Sequence, residues 1–388
     1  MTRAGDVRVI RCDGSPEAVA ELDVALRAVL DRGAALVPLG PGVPPPARDP
    51  GAGQVVMATS GSTAQPHQTP PHQTQPTWVQ LSAEALRASA AATHARLGGP
   101  GRWLLVLPVQ HIAGLQVLVR AALAGTQATV LDLRGGFHPA RFGAAAGQLA
   151  GQGRCYTALV PTQLARLLEV DPSALTGFNA VLLGGAATPA GLLRRARQLG
   201  VPVVSTYGMT ETAGGCVYDG RPLDGAQIRV DAAGRIELAG PMLATGYLDD
   251  SARTAATFRD GWLLTPDLGR LDEQGQLQVL GRTDDVIVTG GVNVTPAEVE
   301  AVLTGLPGVA AACVVGLPDA EWGERIAAAV VPADPVQPPD PGALRAAARR
   351  LLTGAQAPKE IVLLDALPLR GVGKPDRNAI RVLLAGAP

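Results

Sequence analysis

The sequence predicts an α/β protein made of a large N-terminal domain, with mostly parallel sheets covered by helices and a small β subdomain, and a small α+β C-terminal domain. The chain has 388 residues, more than one ordinary domain contains. Apolar strand patterns alternate with helical patterns from residue 100 to residue 206, and antiparallel patterns follow after residue 220. A third pattern, in which helical and strand segments are mixed, begins near Arg282. We therefore expect domains that span residues 1–281 and 282–388.

The large parallel sheet is predicted from apolar runs that helical segments separate. The predicted strands are 103–107, 128–133, 156–160, 180–183 and 201–205, and the predicted helices are 112–124, 139–149, 161–169 and 188–199. Strands without polar alternation are typical of a sheet that is buried on both faces. Their regular alternation with helices favours parallel neighbours joined by helical crossovers.

The last third of the chain predicts antiparallel structure and then a compact α+β unit. Residues 227–238 have the pattern of a hairpin, and residues 268–280 repeat it. A helix is expected to begin with Thr295 as N-cap, Pro296 at its first position and Glu298 placed for a capping box. The other expected elements of this unit are strands at 311–315, 327–331 and 361–364 and a helix at 344–352. Residues 1–50 contain no motif that predicts a function.

Composition excludes several classes of function. With 33 basic and 34 acidic residues the net charge is −1, so nothing points to nucleic acid or to an anionic membrane surface. No apolar stretch reaches the ~20 residues that span a bilayer, and the N-terminus lacks the apolar segment of a signal peptide. The 4 cysteines are far apart and lack metal-ligand spacing. We expect them to be reduced and buried in a cytoplasmic protein.

A loop of small and hydroxyl residues follows the apolar strand at 55–57. It reads Thr59-Ser60-Gly61-Ser62-Thr63. Such residues allow backbone N–H groups to wrap a polyphosphate. The loop is not a Walker A sequence, because no Gly-Lys-Ser/Thr follows, and an ordinary turn is the alternative.

A second segment comes directly after a predicted parallel strand. It reads Tyr207-Gly208-Met209-Thr210-Glu211-Thr212 and falls at the edge where α/β sheets bind ligands. A threonine hydroxyl can hold an α-phosphate, and a glutamate can hold Mg²⁺. The alternative is a helix N-terminus with Thr210 and Glu211 as capping residues. Asp267 follows in the β region, where its carboxylate can accept hydrogen bonds from ribose hydroxyls or simply form a turn.

In their order and spacing these segments resemble the adenylate-forming superfamily of acyl-CoA synthetases, luciferases and peptide-synthetase adenylation domains. The resemblance extends from Gln54 to Ile380. It also includes Gly281-Arg282-Thr283-Asp284-Asp285, Gly290-Gly291-Val292-Asn293-Val294 and the late Gly373-Lys374. It implies an enzyme that uses Mg·ATP to convert a carboxylate into an acyl-adenylate and then transfers the acyl group to CoA.

The resemblance implies a role for each matching residue. Thr210 would contact phosphate, Glu211 the Mg²⁺ ion, and Asp267 with Arg282 the ribose. Lys374 would bridge the carboxylate and the α-phosphate, where a cation offsets the charge of two anionic groups. The nucleotide, including its adenine, would also contact Gly184, Gly185, Ala186, Tyr207, Gly208 and Met209.

The same resemblance implies that the C-terminal domain is mobile. Asp284 matches the hinge position, and rotation there would remove Lys374 from the site after adenylation. Gly290 and Gly291 would then flank the channel for the pantetheine arm of CoA.

A narrower resemblance is to the 2-succinylbenzoate–CoA ligases of menaquinone biosynthesis in their compact bacterial form. It rests on the early position of the phosphate loop and on residues 103–120, which look like the acyl-pocket segment of that group. His111 would lie near the attacked carbonyl, with a helix-capping or core histidine as the alternative. Arg120 is a candidate partner for a substrate carboxylate. The sequence leaves open another aryl or medium-chain acid, a carrier-loading enzyme, a nucleotide-binding relic without activity, and a homodimer.

The phosphate loop departs from the family pattern, which usually reads Thr-Gly-x-Pro-Lys-Gly. Ala64-Gln65-Pro66-His67 stands in that place here, and the lysine is still absent when the loop is realigned past the repeat at 66–74. We interpret the repeat as a short insertion, with a metal site at His67 and His72 as the alternative. A cation for the β- and γ-phosphates is therefore missing from this loop.

Overall fold

A first sheet, which the sequence patterns did not reveal, forms from the N-terminal segment. The computed structural model describes residues 7–31, 33–59, 76–370 and 374–386, so Ser60–Thr63 and the tandem repeat lie outside it. The strands are β1 (Val7–Arg11), β2 (Ala35–Leu39), β3 (Gln54–Thr59) and β4 (Thr77–Ser82). β1, β2 and β3 are parallel, and β4 is antiparallel to β3. The α1 helix (Pro16–Leu30) crosses between β1 and β2, and Ser15 caps it by accepting a hydrogen bond from the Ala18 N–H.

The predicted parallel sheet is confirmed as a second sheet of seven strands. Its strands are β5 (Arg102–Leu105), β6 (Thr129–Val130), β7 (Cys155–Leu159), β8 (Ala180–Leu183), β9 (Val203–Met209), β10 (Gly214–Tyr218) and β11 (Arg221–Pro222), in the spatial order β11-β10-β9-β8-β7-β5-β6. The five strands from β6 to β9 in that order are parallel, while β10 and β11 are antiparallel additions.

Helices cover this sheet on both faces, as predicted. They are α2 (Ala83–Arg96), α3 (Ile112–Leu123), α4 (Pro139–Leu149), α5 (Pro161–Val170), α6 (Ser173–Thr176) and α7 (Ala190–Gln198). One apolar core joins α1, α2 and α3 to the sheets, and a second lies under α4, α5 and α7. The strand predicted at 128–133 is shorter than expected, because the Asp132 carboxylate binds the backbone and guanidinium of Arg134 and turns the chain out of the sheet.

The antiparallel β region is also confirmed. It contains β12 (Gln227–Val230), β13 (Arg235–Ala239), β15 (Phe258–Arg259), β16 (Trp262–Leu271) and β17 (Leu277–Arg282), while β14 (Gly246–Tyr247) joins the first sheet beside β4. The predicted hairpin pairs Val230 with Ile236. The short α8 helix (Ser251–Thr257) follows β14.

The C-terminal unit has its own sheet and core. Its strands are β18 (Ile287–Thr289), β19 (Val292–Val294), β20 (Val309–Asp319), β21 (Gly323–Pro332), β22 (Glu360–Leu363), β23 (Leu369–Arg370) and β24 (Lys374–Pro375), and its helices are α9 (Pro296–Thr304), α10 (Pro341–Leu351) and α11 (Arg377–Ala385). The division of the chain at residue 281 remains a prediction.

The capping box predicted at α9 is wrong. Thr295 is the N-cap and Pro296 is the first helical residue, but the Thr295 side chain makes no capping hydrogen bond. Its methyl group instead faces Gly281, where an added Cβ would come within 2.5 Å of it. Packing against the chain before the helix therefore fixes this side chain.

Two global expectations can be compared with the described residues. Across the described ranges, none of the helices has the length and apolar character needed to cross a bilayer. All four cysteines are buried and unpaired, as predicted.

The unpredicted N-terminal sheet should contribute to global stability. Leu36 lies in the wholly buried strand β2 and is fully inaccessible. We expect Leu36→Ala to destabilise the fold by about 2–5 kcal/mol, because it leaves a cavity between α1 and the sheet. Denaturant unfolding measures this, with Val9→Ala on the exposed side of β1 as the control. Equal midpoints for the two variants would contradict an integral role for this sheet.

Candidate active site

The carboxyl ends of parallel strands bring the predicted residues to one edge of the second sheet. His111 follows β5, residues 184–186 follow β8, and Tyr207 lies near the end of β9. Strands β5, β7, β8 and β9 are parallel, so these segments emerge on the same side. This is the edge at which α/β sheets bind ligands.

The chain reverses sharply after β9, and the Thr212 hydroxyl holds the reversal. It accepts a hydrogen bond from the Met209 N–H at 2.9 Å and donates one to the Gly214 carbonyl at 2.7 Å. A single 3₁₀ turn, Thr210–Thr212, is followed by Ala213 in the left-handed region, with φ of 48°. β10 then returns antiparallel to β9.

Thr210 and Glu211 therefore project from a strand-to-strand turn, and the alternative that they cap an α-helix is wrong. Glycine is required where the two strands approach. A Cβ on Gly208 would lie 2.2 Å from the Gly214 carbonyl oxygen. Similarly, a Cβ on Gly184 would lie 2.3 Å from the Thr206 hydroxyl oxygen, so the 184–186 turn packs directly against β9.

The Glu211 carboxylate is oriented by Tyr247, a residue that the sequence patterns did not reveal. The Tyr247 hydroxyl donates a hydrogen bond to Glu211 Oε1 at 3.0 Å. Burial and the Glu211 charge raise the pKa of Tyr247 to about 12, so the phenol remains a donor. β14 pairs with β4, which positions Tyr247 beside the strands that flank the predicted phosphate loop.

Those two strands bring the ends of the loop together. Thr59 is the last residue of β3 and is paired with Thr77, and its hydroxyl donates to the Thr77 carbonyl at 3.3 Å. Of the five residues predicted to wrap phosphate, Thr59 alone is described. The predicted Mg²⁺ site depends on Glu211, because Mg²⁺ commonly binds one or two carboxylates together with substrate phosphates. In the described part of the chain, His, Cys, Asp and Glu form no cluster of three or more that could hold a metal ion by itself.

A second polar group joins Tyr207, Asp267 and Arg282. The Tyr207 hydroxyl donates to Asp267 Oδ2 at 2.8 Å, and Arg282 Nη1 lies 3.5 Å from Asp267 Oδ1. Burial and the Asp267 charge raise the pKa of Tyr207, which keeps it a donor. The other branch of Arg282 pairs with the half-exposed Asp284 at 3.1 Å. Arg282 thus connects the predicted ribose ligand to the predicted hinge.

His111 is exposed at the start of α3. It occupies the N-cap position, but its imidazole makes no capping hydrogen bond. The alternative of a core histidine is therefore wrong, whereas His111 does stand at the helix-capping position, without a side-chain cap. Its location near the attacked carbonyl remains a prediction. Its backbone N–H donates to the Pro108 carbonyl at 3.2 Å, which fixes the turn between β5 and α3.

Arg120, on the same helix, is buried with only 3% of its surface exposed. Its contacts are the Tyr218 hydroxyl at 3.4 Å and the face of the Trp103 ring at 5.1 Å. No carboxylate among the described residues pairs with it, and its Nε atom has no hydrogen-bond partner. Burial lowers the pKa of Arg120, although Tyr218 opposes that effect.

A line of polar groups leads from the Thr212 reversal to Arg120. The Gln116 amide donates to the Ala213 carbonyl at 2.8 Å, and the Ser89 hydroxyl donates to the same carbonyl at 2.9 Å. Gln116 Oε1 is buried without a partner. On α3, Gln116 is one turn from Arg120, so both side chains lie on one face of the helix, towards β10.

In the C-terminal unit, the chain around Lys374 is anchored by Arg377. Arg377 Nη1 donates to Glu300 Oε1 and to the Val314 carbonyl, each at 2.6 Å, and its Nε lies 3.4 Å from Asp285 Oδ2. Burial alone would lower the pKa of Arg377, but Glu300 outweighs this effect and the pKa is raised. Because Asp285 adjoins the predicted hinge, one partly buried cation joins the hinge segment to the start of α11, which follows the strand that contains Lys374.

The Gly290-Gly291 turn joins β18 to β19. The Gly290 N–H donates to the Trp322 carbonyl at 2.9 Å, and a Cβ on Gly290 would lie 2.7 Å from the Trp322 ring. Among the described residues, Thr210 and Glu211 make no hydrogen bond or ion pair with the C-terminal unit. The roles predicted for Lys374, Gly290 and Gly291 therefore remain predictions.

Two family models match the chain. The model of AMP-binding enzymes matches residues 43–248, and that of the AMP-binding enzyme C-terminal domain matches residues 298–374. A probable 2-succinylbenzoate–CoA ligase of Mycobacterium tuberculosis is 45% identical over 337 residues, covering 86% of this chain and 85% of that protein. The 2-succinylbenzoate–CoA ligase of Listeria monocytogenes is 32% identical, over 84% of this chain and 69% of that protein.

Solved structures share the whole architecture. The o-succinylbenzoate CoA synthetase of Bacillus subtilis, in complex with its acyl-adenylate intermediate, superposes with a TM-score of 0.80 at 26% identity and covers 98% of this chain and 88% of that one. The amide bond synthetase of Marinactinospora thermotolerans has a TM-score of 0.80 at 25% identity, with 98% and 90% covered.

The geometry of the reversal should depend on the Thr212 hydroxyl. Thr212→Val keeps the shape of this fully buried side chain but leaves the Met209 N–H and the Gly214 carbonyl without their partner. We expect a loss of about 1–3 kcal/mol in the free energy of unfolding and weaker ATP binding. Thr212→Ser, which retains the hydroxyl, is the matched control. A valine variant as stable as the serine variant would show that the hydroxyl does not hold the turn.

Proposed function

We propose an activity for this chain on one premise: the chain belongs to the family of AMP-binding enzymes. It is an AMP-forming acid–thiol ligase that takes 2-succinylbenzoate, Mg·ATP and CoA to the CoA thioester, AMP and pyrophosphate. The relatives named for this reaction and the structure with the acyl-adenylate support the assignment. A structure of the Bacillus subtilis enzyme with ATP and magnesium supports the same co-substrates.

The described residues fit both steps. A carboxylate oxygen attacks the α-phosphorus, and the bond to the pyrophosphate oxygen breaks. We propose that the Glu211 carboxylate, oriented by Tyr247, would hold Mg²⁺ and that Asp267 would accept hydrogen bonds from the ribose hydroxyls. The CoA sulfur then attacks the acyl carbon, AMP leaves, and the thiol proton passes to solvent. We propose that Lys374 serves the first step and that Asp284 is the hinge for the second.

The observation that carries the choice of acid is the buried guanidinium of Arg120, which pairs with no carboxylate among the described residues. A cation in an apolar interior costs several kcal/mol unless an anion accompanies it. 2-Succinylbenzoate has two carboxylates, so one remains charged after the other is activated. We propose that this second carboxylate is the counter-ion of Arg120.

Helix geometry supports Arg120 as the partner of this second carboxylate. His111 and Arg120 are nine residues apart on α3, which corresponds to about 13 Å along the axis. Helical side chains lean back by roughly one turn, about 5 Å, towards the N-terminus. The guanidinium then lies roughly 8 Å from the level of His111, a distance comparable with the length of a small dicarboxylic acid.

An alternative acceptor is suggested by one specific neighbour, the amide bond synthetase. An enzyme of that kind, or one that loads a carrier protein, would form the adenylate but would not need CoA. A relic without activity would bind ATP and release no pyrophosphate. Measurement of pyrophosphate and thioester in parallel separates these cases.

Two further properties belong to this proposal. The buried, unpaired cysteines favour a reducing compartment and hence the cytoplasm. We also propose that the protein forms a homodimer. Light scattering measures its mass in solution and tests this directly.

Substrate selection should depend on Arg120. We expect pyrophosphate release with 2-succinylbenzoate at least tenfold more efficiently than with 4-oxo-4-phenylbutanoate, which lacks the ring carboxylate. Arg120→Gln should raise KM for 2-succinylbenzoate about 30-fold or more and leave the monoacid almost unaffected, because it removes one partner of a buried charge pair. Arg120→Lys should recover part of the preference. An equal loss with both acids would contradict the assigned partner.

Lys374→Ala should separate the two half-reactions. Adenylation should fall by at least about 100-fold, since the cation that offsets the meeting anions is lost. Thioester formation from supplied acyl-adenylate and CoA should persist. Single-turnover assays of each step measure this, with Lys359→Ala, on the same unit, as the control for a lost positive charge. An equal fall in both steps would contradict the proposed alternation of domains.

A further inference from the structure

The segment predicted to wrap the phosphates of ATP contains no strong cation of its own. Residues 59–77 include neither lysine nor arginine. ATP and the pyrophosphate released from it are multiply charged anions, and Mg²⁺ at Glu211 neutralises only part of that charge. A second positive charge is therefore expected from another part of the chain.

Arg253, on α8, is a half-buried cation that contacts Thr77, a described end residue of this segment. Its Nη1 donates to the Thr77 hydroxyl at 2.9 Å, and Thr77 is the strand residue paired with Thr59. The guanidinium therefore lies next to the two residues at which the segment leaves and rejoins the first sheet.

The same guanidinium lies over the face of the Tyr247 ring, whose hydroxyl orients Glu211. Arg253 Cζ is 4.4 Å from the centre of the Tyr247 ring, and the Tyr247 hydroxyl contacts Glu211 at 3.0 Å. The cation and the carboxylate thus flank a single phenol side chain. A polyphosphate that reaches from Mg²⁺ at Glu211 towards Thr59 would pass within range of Arg253.

Local structure fixes the backbone of Arg253. Asp250 caps α8 by accepting from the Arg253 N–H at 2.8 Å. The Thr254 hydroxyl accepts from the Tyr247 N–H at 2.9 Å and donates to the Asp250 carbonyl at 2.8 Å. These bonds attach the helix to β14, so the position of the cation is tied to that of Tyr247. Arginine also presents a planar fork that suits bidentate binding of phosphate.

We infer that Arg253 binds the β- and γ-phosphates of ATP, and the pyrophosphate formed from them, in place of a cation in the 59–77 segment. This inference rests on the proposed function, because it requires ATP at Glu211. It predicts a contribution that grows with the number of phosphates. Arg253 should contribute nothing to the affinity for AMP, a little to the affinity for ADP, and most to the affinity for ATP.

Titration calorimetry with AMP, ADP and Mg·ATP tests the inference. We expect Arg253→Gln to weaken ATP binding at least about tenfold, or 1.4 kcal/mol, with AMP affinity within twofold of the unchanged protein. Arg253→Lys, which retains the charge, should recover most of the loss. The matched control is Arg48→Gln, which removes an exposed arginine paired with Asp249 at 3.0 Å.

The affinities of the variants either support or overturn a role of Arg253 in phosphate binding. Unchanged ATP affinity in Arg253→Gln, or an equal loss for AMP and ATP, would overturn the inference, the second because it would indicate a structural effect through Thr77 and Tyr247. Loss in Arg253→Lys equal to that in Arg253→Gln would also overturn it. Failure of the proposed function looks different, since the unaltered protein would then bind ATP in an Arg253-dependent manner yet form no thioester.

Discussion

The Thr212 hydroxyl connects both strands of the β9–β10 reversal, and the geometry of the site depends on that connection. The chain must turn back within three residues, so the helix that usually follows a parallel strand has no room to form. Glu211 is thereby presented to Tyr247, and its backbone carbonyl accepts from the Ala244 N–H at 2.8 Å. Through Tyr247 and β14 the first sheet is joined to the second.

Two arginines, one partly buried and one almost wholly buried, have different partners. Arg377 is surrounded by Glu300, Asp285 and a carbonyl, so its desolvation is compensated within the chain. Arg120 contacts a phenol and an aromatic face, and no carboxylate of the described residues pairs with it. Because folding alone gives no reason to bury an unpaired charge, the first arginine is best understood as structural and the second as a receptor for an anion.

Local patterns predicted the parallel sheet and its helices, because buried strands and helical crossovers have distinctive periods. Thr210, Glu211, Asp267 and Arg282 were found through ordered motifs. Tyr247 was missed because its contact with Glu211 spans 36 residues and depends on the pairing of β14 with β4. Arg377 lies 77 residues from Glu300, and no sequence period marks such a pair. The capping box failed for a related reason, since packing against Gly281 determines the rotamer of Thr295.

Arg253 shows why the absence of a motif residue is weak evidence for loss of activity. Its contact with Thr77 joins residues 176 positions apart, so a gap in one segment can be filled by a residue that no local alignment would pair with it. Electrostatic stabilisation of phosphate depends on where the charge lies and not on which strand or helix supplies it. Placement on a helix attached to β14 has a further consequence. The distance between this cation and Glu211, the proposed Mg²⁺ ligand, is then set by one phenol ring, so the two groups that we propose for the polyphosphate form one connected unit.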